Sequence, residues 1–288
     1  MPYASVFRPG LLAGQTIIVT GGGTGIGRCI AHEVASLGGH LALVGRRPEK
    51  LESAAAEIVA DGGSAEWHAG DIREEERVVE IVAAVVAARG AVDGLVNNAG
   101  GQFPAPLAEI SGRGFDAVVR NNLTGGFLMA REVYRQSMQK RGGAIVNMLA
   151  DFWRGMPTMG HSGAARAGME NFTKTAAVEW AVSGVRVNAV APGWIASSGM
   201  DHYDEKTRVG IRKLRHAVPL KRLGMEAEVS AAVVFLLCEG AAYISGETIR
   251  IDGASSQAHG NYPLPEHENS RPYEGFHRAS LPETLRGS

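Results

Sequence analysis

Cysteine is nearly absent: the 288 residues hold two, Cys29 and Cys238. A disulfide framework is therefore excluded. Two thiols set in apolar helical patterns read as buried and free, which suits a reducing compartment. Net charge is also nearly absent, at −1, which removes the electrostatic case for a nucleic-acid or anionic-membrane partner. No apolar run reaches the roughly 18–20 residues that a membrane-spanning helix needs. The opening MPYASVFRPG has neither the basic start nor the apolar stretch of a secretion signal. A soluble, cytoplasmic protein is expected. The nine histidines are scattered and no His/Cys pair has ligand spacing, so no metal site is expected.

What the chain does contain is alternation. Short apolar, branched runs at Thr16–Thr20, His40–Gly45, Ala65–His68, Gly94–Asn97, Ala144–Met148, Val185–Ala191 and Thr248–Ile251 are separated by alanine-rich helical patterns. The helical patterns lie near 26–37, 48–60, 75–89, 115–140, 161–183 and 226–238. Near-continuous apolar strands alternating with helices predict a parallel sheet covered on both faces. Right-handed crossovers then give an α/β, Rossmann-type doubly wound sheet of about seven strands in a single domain over 1–256. No repeat or long linker interrupts it. The tail, 257–288, has little periodicity but carries Tyr262, Tyr273 and Phe276. It reads either as a loose extension or as one tied to a surface, such as a neighbouring subunit.

The first strand runs into Thr20-Gly21-Gly22-Gly23-Thr24-Gly25-Ile26-Gly27. Glycines let backbone approach a pyrophosphate and turn sharply into a helix, whose first N–H groups and dipole hold the anion. Gly21, Thr24, Gly25, Ile26 and Gly27 are thus candidate dinucleotide contacts. The second strand ends in Gly45-Arg46-Arg47 with no carboxylate beside it. An acidic residue there would bond a ribose 2′-hydroxyl, whereas a guanidinium can take a 2′-phosphate bidentately. NADP(H) is the expected cofactor, with Arg46 as its main selector. Two solvated arginines at a helix start are the plainer alternative.

The glycine-rich turn, Asn97-Asn98-Ala99-Gly100 after the fourth strand and Pro192-Gly193 after the sixth occur in an order that resembles the short-chain dehydrogenase/reductase superfamily. The resemblance covers about residues 10–256 and implies further roles. Asp71 and Ile72 would border the adenine, and Asn98, Ala99 and Gly100 the ribose. Asn122 would hold a helix bulge and an active-site water. Pro192, Gly193 and Ile195 would face the nicotinamide carboxamide, and about 196–223 would form a substrate lid. The usual catalytic Tyr-x-x-x-Lys is replaced: through Thr173-Lys174-Thr175, its two places fall on Ser162 and Arg166, and the strand-end serine becomes Leu149 or Ala150. His161-Ser-Gly-Ala-Ala-Arg-Ala-Gly168 and Gly100-Gly-Gln-Phe103 are similar to the trans-2-enoyl-CoA and dienoyl-CoA reductase branch.

A serine is a far weaker acid than a phenol, and Arg166 stays charged with five donors. The expectation is that Arg166 holds the cofactor ribose, Ser162 donates to the substrate oxygen, and the proton comes from Asp151 or water. Asp151 can equally cap the following element. His161 reads as structural, and Glu170 as part of an exposed face. Three functions remain open: an NADPH-dependent enoyl-thioester reductase, an alcohol or aldehyde dehydrogenase for a branched aliphatic or terpenoid (citronellol-type) substrate, and an NADP-binding protein without catalysis. The expected partners are a small-molecule substrate, with a CoA thioester as candidate, and further copies of the chain in a homotetramer.

Overall fold

The seven branched runs become seven strands of one sheet. The computed structural model describes residues 3–202 and 205–286. The strands are β1 (Thr16–Thr20), β2 (His40–Gly45), β3 (Ser64–Ala69), β4 (Gly94–Asn97), β5 (Gly143–Met148), β6 (Val185–Pro192) and, after the short pair β7 (Ile195–Ala196) and β8 (Gly224–Met225), β9 (Thr248–Ile251). Their spatial order is β3-β2-β1-β4-β5-β6-β9, all parallel. The chain reverses direction across the sheet between β1 and β4, and in open sheets the crevice at that switch point is where ligands bind.

Alternation along the strands supplies both faces. On β1, Ile17 and Val19 join α1 (Gly25–Ser36), α2 (Pro48–Ala60) and α9 (Glu226–Leu237) on one side. Ile18 joins α3 (Glu75–Arg89), α5 (Gly125–Val133) and α7 (Gly160–Glu179) on the other. Both Cys29 and Cys238 are buried and free. Among the described residues, no helix is long and apolar enough to cross a membrane.

Three stretches take a form the sequence pattern left open. The helix expected over 115–140 is not continuous: α4 (Gly112–Val119) meets a π-helical turn at Arg120–Thr124, then α5, a second π turn at Tyr134–Met138, and α6 (Gln139–Arg141). A π turn inserts one residue into the helical repeat, which a periodicity of apolar residues does not register. The stretch 196–223 is an excursion closed at its base by pairing of β7 with β8, and it carries a 3₁₀ turn at Ser198–His202 and α8 (Glu205–Lys213). Tyr203 and Asp204 of that stretch lie outside the described residues.

The tail is the third: it is tied to a surface, that of its own subunit. Phe276 is buried and stacks on Tyr3, with ring centroids 5.7 Å apart. The Ala4 N–H donates to the Gly275 carbonyl, and the Tyr273 hydroxyl to the Ala4 carbonyl. Arg278 and His277 both bond Asp61, just past α2, and Thr284 bonds Asp201. His32, Asp61 and His277 come close enough to one another to hold an ion. Arg278, however, already engages both Asp61 oxygens, at 2.8 and 2.6 Å, so the group acts as an ion-pair anchor.

Candidate active site

The glycine turn is shaped by contacts that exclude side chains. Gly21 and Gly25 have φ of +67° and +57°, and a Cβ on Gly27 would lie 2.4 Å from both Asn98 Nδ2 and the Gly21 carbonyl oxygen. Thr20 locks the neighbouring strand end. Its buried hydroxyl oxygen accepts from the N–H groups of Asn98 (3.0 Å) and Ala99 (2.9 Å), while Asn98 Nδ2 donates to the Thr20 carbonyl at 2.9 Å. Asn98 therefore fixes the switch point through its side chain.

A groove of about 300 Å³ runs along this edge. Gly21, Thr24, Gly25, Ile26, Gly27, Arg46, Asp71, Ile72, Asn98, Ala99 and Gly100 all line it, although they come from four separate loops. Arg47 and Ser197 line it too, as do Lys50 and Ser198, which escaped the sequence reading. Lys50 had a signal, since it lies one helical turn beyond Arg46 and Arg47. Pro192, Gly193 and Ile195 are not among the lining residues. Gly193 has its own packing reason, because a Cβ there would sit 2.8 Å from Asp252 Cβ.

The fold also brings a carboxylate toward Arg46 after all. Asp71 arrives from the end of β3, but Arg73 grips both its oxygens. That bonding is the main reason the Asp71 carboxyl is held below its ordinary range, with Arg46 contributing last. Arg73 thus matches the Asp71 charge and leaves Arg46 exposed and available. Near the glycine turn, Glu226 Oε1 lies 3.8 Å from where a Gly25 Cβ would be. Burial raises the Glu226 carboxyl to about 7, opposed by Arg28.

At the far end of the sheet edge, α7 is set in register by buried polar groups. Asn97 Nδ2 donates to Asn147 Oδ1 at 3.0 Å, Asn147 Nδ2 to Thr173 Oγ1 at 2.9 Å, and the Thr173 hydroxyl to the Met169 carbonyl at 2.8 Å. That places Ser162 and Arg166 beside the strand ends. Arg166 donates through Nη1 to the Met148 carbonyl at the end of β5. Burial pulls its pKa down to about 10, so it remains a cation at neutral pH, and its Nε is buried without a partner.

Asn122 sits in the first π turn, where its Nδ2 donates to the Val118 carbonyl (2.9 Å) and the Gly101 carbonyl (2.7 Å). Its Oδ1 accepts the Gly101 N–H at 3.1 Å. The bulge and the Gly100-Gly101 loop therefore hold one another. A Cβ on Gly100 would fall 2.5 Å from Asn122 Oδ1 and 2.8 Å from Arg166 Nη2, so Gly100 is the point where loop, bulge and α7 meet.

Asp151 follows β5, with its backbone N–H on the Pro192 carbonyl at 3.1 Å. Its Oδ1 is buried without a partner. Burial and then the like charge of Asp252 raise its pKa, against Arg250, Arg154 and the Trp153 N–H. His161 is fully buried; its Nδ1 accepts the Ser162 N–H at 2.8 Å, and its ring meets Phe103 edge-on at 4.5 Å. The Ser162 hydroxyl donates to Gln102 Oε1 at 2.6 Å. Gln102 had been given no role. Glu170 pairs with Lys174 at 2.9 Å, one turn along α7.

Three observations fit a bound dinucleotide: the cradle at Gly21 and Gly27 that admits no side chain, the cationic rim of the groove, and the orphaned donor on Arg166. Comparisons with known proteins agree. Residues 21–255 match the family model described as enoyl-(acyl carrier protein) reductase. A probable 2,4-dienoyl-CoA reductase of Bacillus subtilis (strain 168) is 36% identical over 242 residues, covering 83% of this chain and 95% of that one. The solved citronellol catabolism dehydrogenase AtuB of Pseudomonas aeruginosa PAO1 is 65% identical with a TM-score of 0.81, over 88% of this chain and all of the other. An NAD+-bound xylitol dehydrogenase structure is 30% identical with a TM-score of 0.79, over 83% and 98%. The chain belongs to the short-chain dehydrogenase/reductase superfamily, whose oxidoreductases bind a nicotinamide cofactor.

Proposed function

We propose that the protein is an NADPH-dependent reductase of a carbon–carbon double bond conjugated to a thioester carbonyl, of the trans-2-enoyl-CoA kind. One observation carries this reading. The reacting edge holds hydrogen-bond donors and a half-buried carboxyl of raised pKa, Asp151, while the helix facing it presents Ser162 and Arg166 and no phenol. Such a set stabilises charge that develops on a carbonyl oxygen and delivers a proton to carbon, which is what a conjugate reduction needs.

Gly21, Thr24, Gly25, Ile26 and Gly27 would hold the pyrophosphate, Arg46 with Arg47 and Lys50 the 2′-phosphate, and Asp71, Ile72 and Asn98 to Gly100 the adenosine. Pro192, Gly193 and Ile195 would back the carboxamide, with Arg166 on the nicotinamide side. The bound dinucleotide supplies the hydride. Asn122 keeps the Gly100-Gly101 loop in place, Arg166 keeps a fixed positive charge beside it, and Asp151, whose pKa burial and Asp252 push up, would give the proton. The excursion over 196–223 would close on the substrate. A homotetramer is the assembly this reading carries, since α5 and α7 leave Phe127 and Val178 facing solvent.

A second reading is favoured by the likeness to the citronellol catabolism dehydrogenase: oxidation of a branched aliphatic alcohol, with ionised Asp151 taking the hydroxyl proton. Steady-state rates on short and medium enoyl-CoAs, citronellol-type alcohols and aldehydes, and simple ketones separate the two. Consumption of NADPH with the enoyl-CoAs alone is expected. Turnover of the alcohols alone selects the second reading, and tight cofactor binding without any turnover removes both.

The cofactor preference has its own test. Arg46→Ala is expected to weaken NADPH binding about tenfold, the lower end of what a charge-assisted contact gives, because Arg46 is exposed and partly screened. NADH binding should hardly change. Fluorescence titration of both cofactors measures this, and equal affinities in the unaltered protein would refute the preference.

A further inference from the structure

We infer that the C-terminal tail is a clasp that holds the excursion over 196–223 against the body of the protein, and that Thr284, seated on Asp201, is its positioning residue. The inference rests on the reading of that excursion as the part that closes on the substrate, and deepens it. A chain terminus is ordered only where something ties it down. Here the ties alternate: the tail meets the excursion, then the body, then the excursion again.

The first meeting is at 267–271. His267 Nε2 lies 3.0 Å from the Pro219 carbonyl oxygen, and Arg222 Nε donates to the Ser270 hydroxyl oxygen at 2.9 Å. The body follows at 273–278, where Tyr273 reaches Ala4, Phe276 stacks on Tyr3 and Arg278 holds Asp61. Arg28, on the helix that the glycine turn opens, sits over the Phe276 ring at 5.1 Å and donates to the Arg278 carbonyl at 3.4 Å. The last meeting is at Asp201, in the 3₁₀ turn Ser198–His202. Its Oδ2 accepts the Glu283 N–H at 3.1 Å. Its Oδ1 accepts the Thr284 N–H at 2.9 Å and lies 2.9 Å from the Thr284 hydroxyl. From α8, Arg212 Nε donates to the Thr284 carbonyl at 2.9 Å. One buried threonine therefore joins the turn, the helix and the tail.

Polar bonds carry this grip because packing is thin beside them. A cavity of about 370 Å³ lies between the tail, at Phe276, Leu281 and Pro282, and the base of the excursion, at Ala196, Met225 and Glu226. Open space there forfeits dispersion contacts. The Asp201 carboxyl is ionised at neutral pH: against the cost of burial, its bonds to Thr284 and Glu283 hold it below its ordinary range. Hydrogen bonds to an ionised acceptor are the strong kind. The grip also reaches the cofactor groove. Ser197 and Ser198 line that groove, and the Met200 N–H donates to the Ser197 carbonyl at 3.0 Å, so the turn held by Thr284 carries both serines.

The test is limited trypsin digestion beside steady-state kinetics, on the intact unaltered protein, Thr284→Val, Thr284→Ser and Asp201→Ala. The excursion offers trypsin Arg208, Arg212, Lys213 and Arg215. Nicking there follows the population of the open form when opening and closing are fast. Thr284→Val keeps the size and the backbone bonds but loses the hydroxyl. Its nicking should be about tenfold faster, the lower end for a hydrogen bond to a charged group. Asp201→Ala loses all three bonds and should be nicked on the order of 10²-fold faster. Thr284→Ser should match the unaltered protein. Melting temperatures should hardly move, because Asp201 and Thr284 lie outside the apolar clusters on the two faces of the sheet. In the kinetics, KM for the best enoyl-CoA should rise about tenfold in Asp201→Ala with kcat nearly unchanged, since apparent affinity falls with the competent fraction once the open form dominates. Equal nicking of all four proteins overturns the clasp. Faster nicking with an unaltered KM overturns the positioning role, because the bonds then serve local stability alone. An unaltered protein that turns over no enoyl-CoA refutes the reductase reading instead, and the nicking rates still decide the clasp.

Discussion

Asp151→Asn is expected to lower turnover of the best enoyl thioester by about 10²–10⁴-fold, the usual contribution of a positioned general acid. NADPH binding should be nearly unchanged. The amide keeps the size and polarity of the carboxyl but has no proton of useful acidity. The sign of the pH effect follows from the raised pKa. The Asp151 carboxyl is raised because it is partly buried and feels the like charge of Asp252. In the reductase reading it acts while protonated, so kcat in the unaltered enzyme should hold at low pH and fall as pH rises through that raised value. Asp151→Asn should lose this descending limb. A variant that keeps the limb, measured as kcat against pH in buffers of constant ionic strength, would assign the proton to another group. The second reading has the opposite slope, since alcohol oxidation needs the ionised form and gains with rising pH.

Arg166→Ala is expected to damage both binding and turnover. The guanidinium is the buried cation nearest the loop at Gly100, with Nη1 on the Met148 carbonyl and Nε without a partner. Loss of a hydrogen bond from a charged group corresponds to about 1.5–3 kcal/mol, or roughly 10–150-fold in NADPH affinity. The Met148 carbonyl would also be left unpaired in the interior, so the melting temperature should fall as well. Arg166→Lys should restore the charge but not the forked donor geometry, because an ammonium is a single point of charge on a flexible stem. Calorimetric titration of NADPH against both variants decides this. An Arg166→Ala protein with unaltered cofactor affinity would show that the arginine serves the fold alone.

The sheet was legible in the sequence because its signals are local. TIIVT, HLALVG and VRVNAVA are branched, apolar and bounded by glycine or proline, and each became a strand. The cofactor turn was legible for the same reason: strand, glycines and helix follow one another directly. Contacts between distant segments were not. Asp71 and Arg46 lie on different strands, so the reading of Arg46 as free of any carboxylate was right for its own loop but did not extend to its spatial neighbourhood. Gln102 stood in a stretch already noted for its resemblance, yet its bond to Ser162 joins residues sixty positions apart. Pro192-Gly193 stood out as a motif, but the structure gives its glycine a packing reason at Asp252. The first π turn was implied only through the resemblance, at Asn122, whose side chain bonds back to its own helix and across to a loop at once; the second, at Tyr134–Met138, left no mark in the apolar periodicity.

The position of β4 has a consequence for a chain made from its amino end. β1 gains its first neighbour from β2, the next strand to be synthesised. Its other edge is closed only by β4, after β2, α2, β3 and α3 have all emerged. For that interval the nascent chain carries a three-stranded parallel sheet whose outer strand, TIIVT, shows a row of unpaired backbone groups on a fully branched, apolar segment. The strand that ends in the cofactor turn is therefore also the one most exposed to mispairing during translation.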